Sequence, residues 1–367
     1  MKRIRIKSKS QHALKKKSVL PLFFLPTILA GVGLIFIFEA SSVVAFRHLH
    51  DSFYYMKLQA IWFFIGIGLM IFFSYFNYRR LYYFSFPALL VGIGLLIAVL
   101  IPGIGQSVSG ARRWIDLGII NIQPSEIIKF SIIIYLSSWF SRKEGGRFLS
   151  FFGLLALIVA LIMLQPDMGT TIIVFCLFIV LYYLSGYKLH YLLLLIPFSA
   201  AGFFFLIQTS AYRMRRLMAF LNPELDPLGI TYHVNQILIS LSNGGILGRG
   251  FSASRQKYQF LPEAHTDSIF AIIGEEFGFV GSVALIFLYF ILLYKAYEIA
   301  KDAKDRFGQL LAGAIFSLLS FQIVVNLGGM VNLIPLTGEP LPFISYGGSS
   351  LLVLFALMGI LINIGKK

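Results

Sequence analysis

Charged residues are scarce in this chain, and their scarcity excludes most soluble folds. Of 367 residues, 13% are charged and 58% are hydrophobic, whereas soluble domains carry about a quarter charged residues. The mean hydropathy is +0.82. This composition is typical of a protein in a lipid bilayer, where a spanning helix needs roughly 18 or more apolar residues and irregular backbone finds no water. We therefore expect an all-α polytopic membrane protein.

Cysteine is almost missing as well. Cys176 is the one cysteine in the sequence, which excludes an intramolecular disulfide. Because it lies within an apolar run, packing is its expected role.

Acidic residues are about half as frequent as basic ones: 16 Asp and Glu stand against 31 Lys and Arg, a net charge of +15. Such an excess can indicate nucleic-acid binding. The positions of the basic residues distinguish nucleic-acid binding from a role in membrane topology. Apolar runs predict ten membrane spans, which place both termini on one side of the membrane. The predicted spans are 19–46, 58–76, 81–101, 124–140, 148–165, 168–185, 190–207, 268–294, 308–330 and 346–364.

Basic residues concentrate on the side that holds the termini, where 20 of the 31 lie. By the positive-inside rule this side is cytoplasmic, and contact with anionic lipid headgroups accounts for the charge without nucleic acid. We therefore expect a multi-pass protein of the cytoplasmic (inner) membrane with both termini cytoplasmic. Residues 1–18 are expected to form a basic cytoplasmic tail that is not a cleaved signal peptide, residues 19–367 a single transmembrane domain, and residues 208–267 a large ordered loop outside the cytoplasm.

The other eleven basic residues lie in outward segments or within spans, against the topological bias. A cluster of cations there needs a reason, and anion binding is the simplest. These residues are Arg47, Lys57, Arg112, Arg113, Lys129, Arg213, Arg215, Arg216, Arg249, Arg255 and Lys257.

The pair Arg112 and Arg113 lies just outside the third predicted span, beside Trp114. Two guanidinium groups can hold a phosphate through paired hydrogen bonds, with the tryptophan anchored at the membrane interface. Ordinary contact with lipid headgroups explains the pair equally well.

Charged residues also begin the fourth predicted span. Pro124 and Ser125 suit the start of a helix, which puts Glu126 and Lys129 three residues apart on one helical face. Charges within a span mark function by default, although a structural ion pair is the alternative. Asp167 stands before the sixth predicted span, where capping of that helix would explain it.

The richest polar segment is residues 255–267, which ends where the eighth predicted span begins. Arg255, Lys257, Glu263, His265 and Asp267 bring two cations, two carboxylates and an imidazole to the membrane surface. Such groups suit general acid–base chemistry on a hydroxyl. A metal site is an alternative, because the last three alternate and would share one face of an extended segment, and helix capping is a third explanation for Asp267.

Six segments in order resemble the shape, elongation, division and sporulation family of membrane glycosyltransferases, and the resemblance covers nearly the whole chain. The sequence of residues 254–267, with Ala264 where the elongation branch usually has arginine, is more similar to the division branch. Departures from the family pattern occur at Glu39-Ala40-Ser41 and at Ser268. The matching segments are 110–115, 123–129, 165–170, 212–216, 255–276 and 335–350.

The resemblance implies a fold of about ten helices and polymerisation of lipid II and polyprenyl-pyrophosphate-linked glycan into glycan strands at the outer face of the membrane, for septal wall synthesis. It also implies a class B penicillin-binding protein and other divisome proteins as partners, with no nucleic acid. Asp267 is carried over as the catalytic base for the acceptor hydroxyl. The expected substrate-binding residues are Arg112, Arg113, Glu126, Lys129, Arg213, Arg216, Arg255, Lys257, Glu263 and His265.

Three alternatives stay open. One is a polymerase of the elongation branch, and another is a lipid II flippase that uses the charges within the spans as a polar path. The third is a non-catalytic scaffold, which predicts that changes at Asp267 are tolerated. No organic cofactor is expected, and a divalent cation, Mg²⁺ or Mn²⁺, is an alternative means of neutralising the pyrophosphate.

Overall fold

A computed structural model describes residues 2–108, 111–116, 118, 121–142, 148–188, 190–193, 197, 202, 204, 208, 211–227, 229–257 and 260–366, and for residues 2–18, 108 and 212 it describes the backbone alone. Helices dominate the described residues. They are α1 (Lys2–Leu49), α2 (Tyr54–Tyr75), a 3₁₀ turn (Tyr78–Arg80), α3 (Leu81–Ala98), α4 (Pro124–Ser141), α5 (Phe148–Met163), α6 (Met168–Ser185), α7 (Ala211–Leu221), α8 (Tyr232–Gly244), α9 (Ile269–Asp302), α10 (Arg306–Met330) and α11 (Gly348–Lys366).

Nine of the ten predicted spans coincide with these helices. Within the described residues, seven helical segments are long and apolar enough to cross a membrane, and α5 is a shorter apolar helix. The predicted span 190–207 falls mostly outside the described residues. The chain is therefore a polytopic helical membrane protein. The basic segment expected as a tail continues the helix of the first span, since α1 begins at Lys2 and lysine and arginine are good helix formers.

Two helices form the centre of the bundle. In their most apolar windows α10 is 72% buried and α11 is 78% buried, and α11 packs along α2 while α10 packs against α9. Glycines permit the close approach of α2 and α11: a Cβ atom at Gly359 would meet the carbonyl oxygen of Met70 at 2.4 Å. In a bilayer small residues at helix contacts replace the hydrophobic effect as the means of tight packing.

Helix α4 is the most polar of the predicted spans and is buried. Glu126 and Lys129 lie inside the protein, together with Ser125, Ser131 and Ser137. It packs against α3, α6 and α10, so its charged face is turned away from lipid, as the cost of an exposed charge in hydrocarbon requires.

Helix α9 is interrupted at Gly278, whose φ of 64° and ψ of −162° are not helical. The interruption would leave four backbone groups unpaired, which is costly in a membrane protein. The turn 245–250 pairs with them: Phe279 and Val280 donate to the carbonyls of Gly245 and Ile246, while the carbonyls of residues 275 and 276 accept from Arg249 and Gly250. The turn thereby fixes the large loop to α9.

A small sheet joins α3 to α4, where no strand was predicted. Strands β1 (Gly105–Val108), β2 (Ala111–Asp116) and β3 (Asn121–Ile122) form an antiparallel sheet in the order β1, β2, β3. Within the loop 208–267, which was expected to be ordered, α8 is a helix with an amphipathic pattern.

Candidate active site

Asp267 lies in the turn before α9 and is 7% exposed. The position that caps this helix is taken by Ser268, which makes no side-chain capping bond. The Asp267 carboxylate instead accepts a hydrogen bond from the Thr266 hydroxyl, with Oγ1 3.1 Å from Oδ1. The capping explanation for Asp267 is therefore wrong, and the carboxylate is available for another task.

A cation faces this carboxylate across a glycine. Arg216 in α7 donates from Nη1 to the carbonyl of Leu336 at 2.8 Å, which brings its guanidinium to the loop between α10 and α11. A Cβ atom placed on Gly338 would lie 3.5 Å from both terminal nitrogens of Arg216 and 3.5 Å from Asp267 Oδ2. The absent side chain leaves space between the Asp267 carboxylate and the Arg216 guanidinium.

Burial sets the acidity of the Asp267 side chain. Desolvation raises the pKa of Asp267 and the charge of Glu263 raises it further, while His233 and Arg216 lower it. Because desolvation is the largest effect, the net pKa lies above the usual value for aspartate. A raised pKa makes the anion a better proton acceptor than an exposed aspartate.

Asn326 joins this turn to the loop that carries Gly338. Its Nδ2 lies 2.9 Å from the carbonyl oxygen of Asp267 and 2.8 Å from that of Glu339. One side chain of α10 thus holds both walls of the site.

Beneath the site lies a buried charge cluster, which we call the Lys129 cluster: Glu126, Lys129, Asp167, Thr170 and Glu339. Lys129 Nζ is 2.7 Å from Glu126 and 3.4 Å from Glu339. The Thr170 hydroxyl lies 2.9 Å from Asp167 Oδ2 and 2.9 Å from Glu339 Oε1. Burial raises the pKa of Glu339. The cluster holds Glu339 in place. Because Glu339 follows Gly338, the cluster also holds Gly338 between Asp267 and Arg216.

Two local predictions are confirmed in this cluster. Glu126 and Lys129 pair on one face of α4. Asp167 caps α6, because its Oδ1 accepts from the backbone N–H of Thr170 at 3.1 Å. A contact of the Lys129 ammonium with a substrate phosphate stays a prediction.

Lys257 lies in a second buried cluster, which we call the Lys257 cluster: Glu39, Ser252, Ser254, Lys257, Glu275 and Glu276. Its Nζ is 2.5 Å from Glu39 and 3.4 Å from Glu276. Glu275 accepts from the Ser254 hydroxyl at 2.5 Å. These contacts fasten the loop to α1 and α9, so the arrangement corrects the expectation that Lys257 faces the pyrophosphate together with Arg255.

The remaining predicted cations are dispersed. Arg113 donates from Nε to the carbonyl of Gln165 at 3.0 Å and from Nη2 to that of Pro166, while Arg112 is exposed. Successive side chains of a strand point to opposite faces, so the two guanidinium groups do not form the expected phosphate clamp. Arg213 is 7% exposed and donates to the carbonyl of Met163 at 3.3 Å, whereas Arg255 is exposed.

His265 points to a different environment from Asp267. Its ring centroid is 4.6 Å from that of Tyr55 and 5.6 Å from that of Tyr346. Residues 263–268 form turns in which the N–H groups of Thr266 and Ser268 bond the carbonyl of Glu263, so the shared face expected for a metal site does not form. Among the residues whose placement is described, no group of three or more His, Cys, Asp or Glu side chains could hold a metal ion.

Comparison with known proteins identifies the family of this chain. The model of the family that comprises FtsW, RodA and SpoVE, described as "Cell cycle protein", matches residues 20–367. The chain belongs to this family.

Relatives match over nearly their full lengths. A probable peptidoglycan glycosyltransferase FtsW of Trichlorobacter lovleyi is 38% identical over 94% of this chain and 92% of its own. Stage V sporulation protein E of Bacillus subtilis is 36% identical over 94% and 96%. Among solved structures, a chain of a peptidoglycan synthase complex has a TM-score of 0.76 at 27% identity, covering 94% and 96%. RodA of Thermus thermophilus has a TM-score of 0.69 at 26% identity, covering 94% and 95%.

Four residues of this FtsW, RodA and SpoVE family member were not predicted as site residues, although the structure places them at the site or in the two buried charge clusters. Glu39 and Glu339 carried a usable signal, because an acidic residue in an apolar segment marks a functional or paired position. His233 and Asn326 carried none, since a polar residue on an amphipathic or buried helix is common.

Proposed function

We propose that this chain is a peptidoglycan glycosyltransferase that polymerises lipid II at the outer face of the cytoplasmic membrane. The observation that carries the proposal is the buried Asp267 carboxylate opposite Arg216, with Gly338 between them. The names of the relatives support the same activity, since several are probable peptidoglycan glycosyltransferases.

The reaction needs one proton acceptor and one site for a departing anion. The oxygen of the acceptor's 4-hydroxyl attacks the anomeric carbon of the lipid-linked donor as the bond from that carbon to the pyrophosphate breaks. The pyrophosphate leaves with the electron pair, the hydroxyl proton passes to Asp267, and the anomeric configuration inverts. Asp267 supplies general-base catalysis and Arg216 stabilises the charge of the leaving group.

Other cations have different parts in this scheme. Arg112 and Arg255 are exposed and can meet the pyrophosphate as it enters or leaves. The contacts of Arg113 and Lys257 with protein oxygens give both residues a supporting role. If Mg²⁺ or Mn²⁺ takes part, substrate phosphates and water would supply ligands, because the described residues include no group of three or more His, Cys, Asp or Glu that could hold a metal ion.

The proposed orientation places the loop 208–267 outside and both termini in the cytoplasm. The charge distribution of the loops supports it. Single cysteines introduced in a Cys176→Ser background test it: a cysteine at Asn243 should react with a membrane-impermeant maleimide in intact cells, and a cysteine at Lys304 should react only after the cells are opened.

A class B penicillin-binding protein is the proposed partner, within a divisome assembly. The proposal is supported by the similarity to a chain of a peptidoglycan synthase complex that coordinates polymerisation and crosslinking. A septal role is proposed because relatives named FtsW are 34–38% identical, against 26% for the RodA structure. Restoration of division, not of rod shape, in cells depleted of their own polymerases tests this choice against the elongation branch.

The decisive experiment is polymerisation of labelled lipid II by the purified protein, with and without the partner. General-base catalysis contributes about 10²–10⁴-fold, so Asp267→Asn should lower strand synthesis by at least the lower figure while lipid II still binds. Asp51→Asn is the matched control, because the Asp51 side chain is 36% exposed and pairs with exposed Lys57. Strand synthesis by Asp267→Asn at the parental rate would return the flippase and scaffold alternatives to first place.

A further inference from the structure

His233 and Ser268 form a polar contact beside the proposed base. The His233 Nε2 atom lies 2.8 Å from the Ser268 hydroxyl oxygen. His233 belongs to α8 of the large loop, whereas Ser268 occupies the capping position of α9 and is fully buried. The contact therefore ties the large loop to the residue that follows Asp267.

The contacts of the imidazole define the tautomer of its neutral form. The ring also bonds the backbone carbonyl of Pro262, which can only accept, so that ring nitrogen carries the proton. Nε2 is then the acceptor for the Ser268 O–H. Burial lowers the pKa of His233, in agreement with a neutral ring at pH 7.

This arrangement uses the Ser268 hydroxyl in an unusual way. A serine at the capping position of a helix normally accepts a bond from the first turn, but Ser268 makes no such bond. Its hydroxyl is directed to His233. The Asp267–Ser268 segment is consequently held from two sides, by Asn326 of α10 at the Asp267 carbonyl and by His233 of α8 at the Ser268 hydroxyl.

We propose that His233 is a positioning residue for the Asp267 base, acting through Ser268; the inference rests on the proposed function and deepens it. The charged groups that face the ring are Asp267, Arg216 of α7 and Glu263 of the preceding turn. His233 thus sets both the direction of the Asp267 carboxylate and the electrostatic environment in which that carboxylate accepts a proton.

Kinetics of lipid II polymerisation test the positioning role. His233→Ala should lower kcat about 10-fold, the effect of one lost buried hydrogen bond, and leave KM within about 2-fold. His233→Gln should retain most of kcat at neutral pH, since an amide can accept from Ser268 and donate to Pro262. His48→Gln is the matched control, because His48 is exposed at the end of α1.

A double-mutant cycle separates action through Ser268 from a general disturbance. Ser268→Ala alone should reproduce the fall in kcat, and the double variant His233→Ala/Ser268→Ala should be no slower than either single variant, because coupled residues are not additive. Multiplied effects in the double variant, or a parental kcat in His233→Ala, would overturn the proposal.

A second measurement is independent of catalysis. Lipophilic carbodiimides modify protonated, buried carboxyl groups, so the pH at which labelling of Asp267 is half complete reports its protonation. The His233 ring, neutral at pH 7, becomes positive in acid and there favours the Asp267 anion, so His233→Gln should move this midpoint, and the acid limb of the kcat profile, to higher pH. An unchanged midpoint contradicts the electrostatic role. If the parental protein labels at Asp267 but makes no strands, the proposed function fails while the labelling result still judges His233.

Discussion

Replacement of Lys129 by methionine tests how much the Lys129 cluster contributes to the stability of the protein. Methionine is unbranched and only one heavy atom shorter than lysine, and it removes the charge. The Lys129 ammonium is fully buried, and it lies 2.7 Å from Glu126 and 3.4 Å from Glu339. Its removal leaves these two carboxylates and Asp167 inside the protein without their cation.

The expected loss of stability follows from that burial. Removing one partner of a buried ion pair costs about 3–5 kcal/mol, because the remaining charge stays desolvated. At about 2 °C per kcal/mol for a large chain, the apparent Tm should fall by roughly 6–10 °C. Unfolding followed by intrinsic fluorescence in detergent micelles measures this change.

Two comparisons make the test specific. Lys129→Met/Glu126→Gln should recover part of the loss, since it removes one of the carboxylates left unpaired. Lys57→Met removes a lysine whose side chain is 62% exposed and whose partner is Asp51, and it should change stability by less than about 1 kcal/mol. A Tm of Lys129→Met equal to that of Lys57→Met, or a double variant less stable than Lys129→Met, would refute the reasoning.

Three further predictions concern the site. Gly338→Ala should abolish most polymerisation, because its φ of +77° is strained for alanine by about 1–2 kcal/mol and its methyl group would contact Arg216 and Asp267; parental turnover would refute this. Burial raises the pKa of Asp267, so stability is lost as pH rises from about 4 through the folded pKa. Asp267→Asn should therefore have the higher Tm at pH 7.5, and the gap should close in acid. Lys257→Met should lower the Tm, whereas Arg255→Ala, at an exposed residue, should lower only turnover. Unfolding and activity assays of the two variants measure this difference.

Local chemistry could be predicted from the sequence, because helix geometry fixes which neighbours meet. The pairing of Glu126 with Lys129 follows from a spacing of three residues. The capping of α6 by Asp167 follows from an aspartate directly before an apolar helix. Nine spans followed from apolar run length alone, since the bilayer allows few other structures.

Contacts between distant segments could not be predicted. Glu39 and Lys257 are 218 residues apart, and their pairing depends on the depth at which α1 meets the large loop. Arg112 and Arg113 were expected to act together because they are adjacent and no strand was predicted there, but a strand directs neighbours to opposite faces. His233 shows the same limit, since its role depends on the path of α8 past Ser268.

The two hydrogen bonds donated by Asn326 also bear on the order in which the parts of the site are synthesised. The residues that this amide connects lie before α9 and before α11, and the amide itself is in α10, so the ribosome makes Asp267 first and the opposite wall of the candidate site much later. A nascent chain that has inserted α9 and α10 already carries its aspartate, but Gly338 and Glu339 have yet to be placed beside it. In the proposed mechanism, catalytic competence therefore arrives only after the loop that follows α10 has been made, and a nascent chain that ends at α10 holds no complete site.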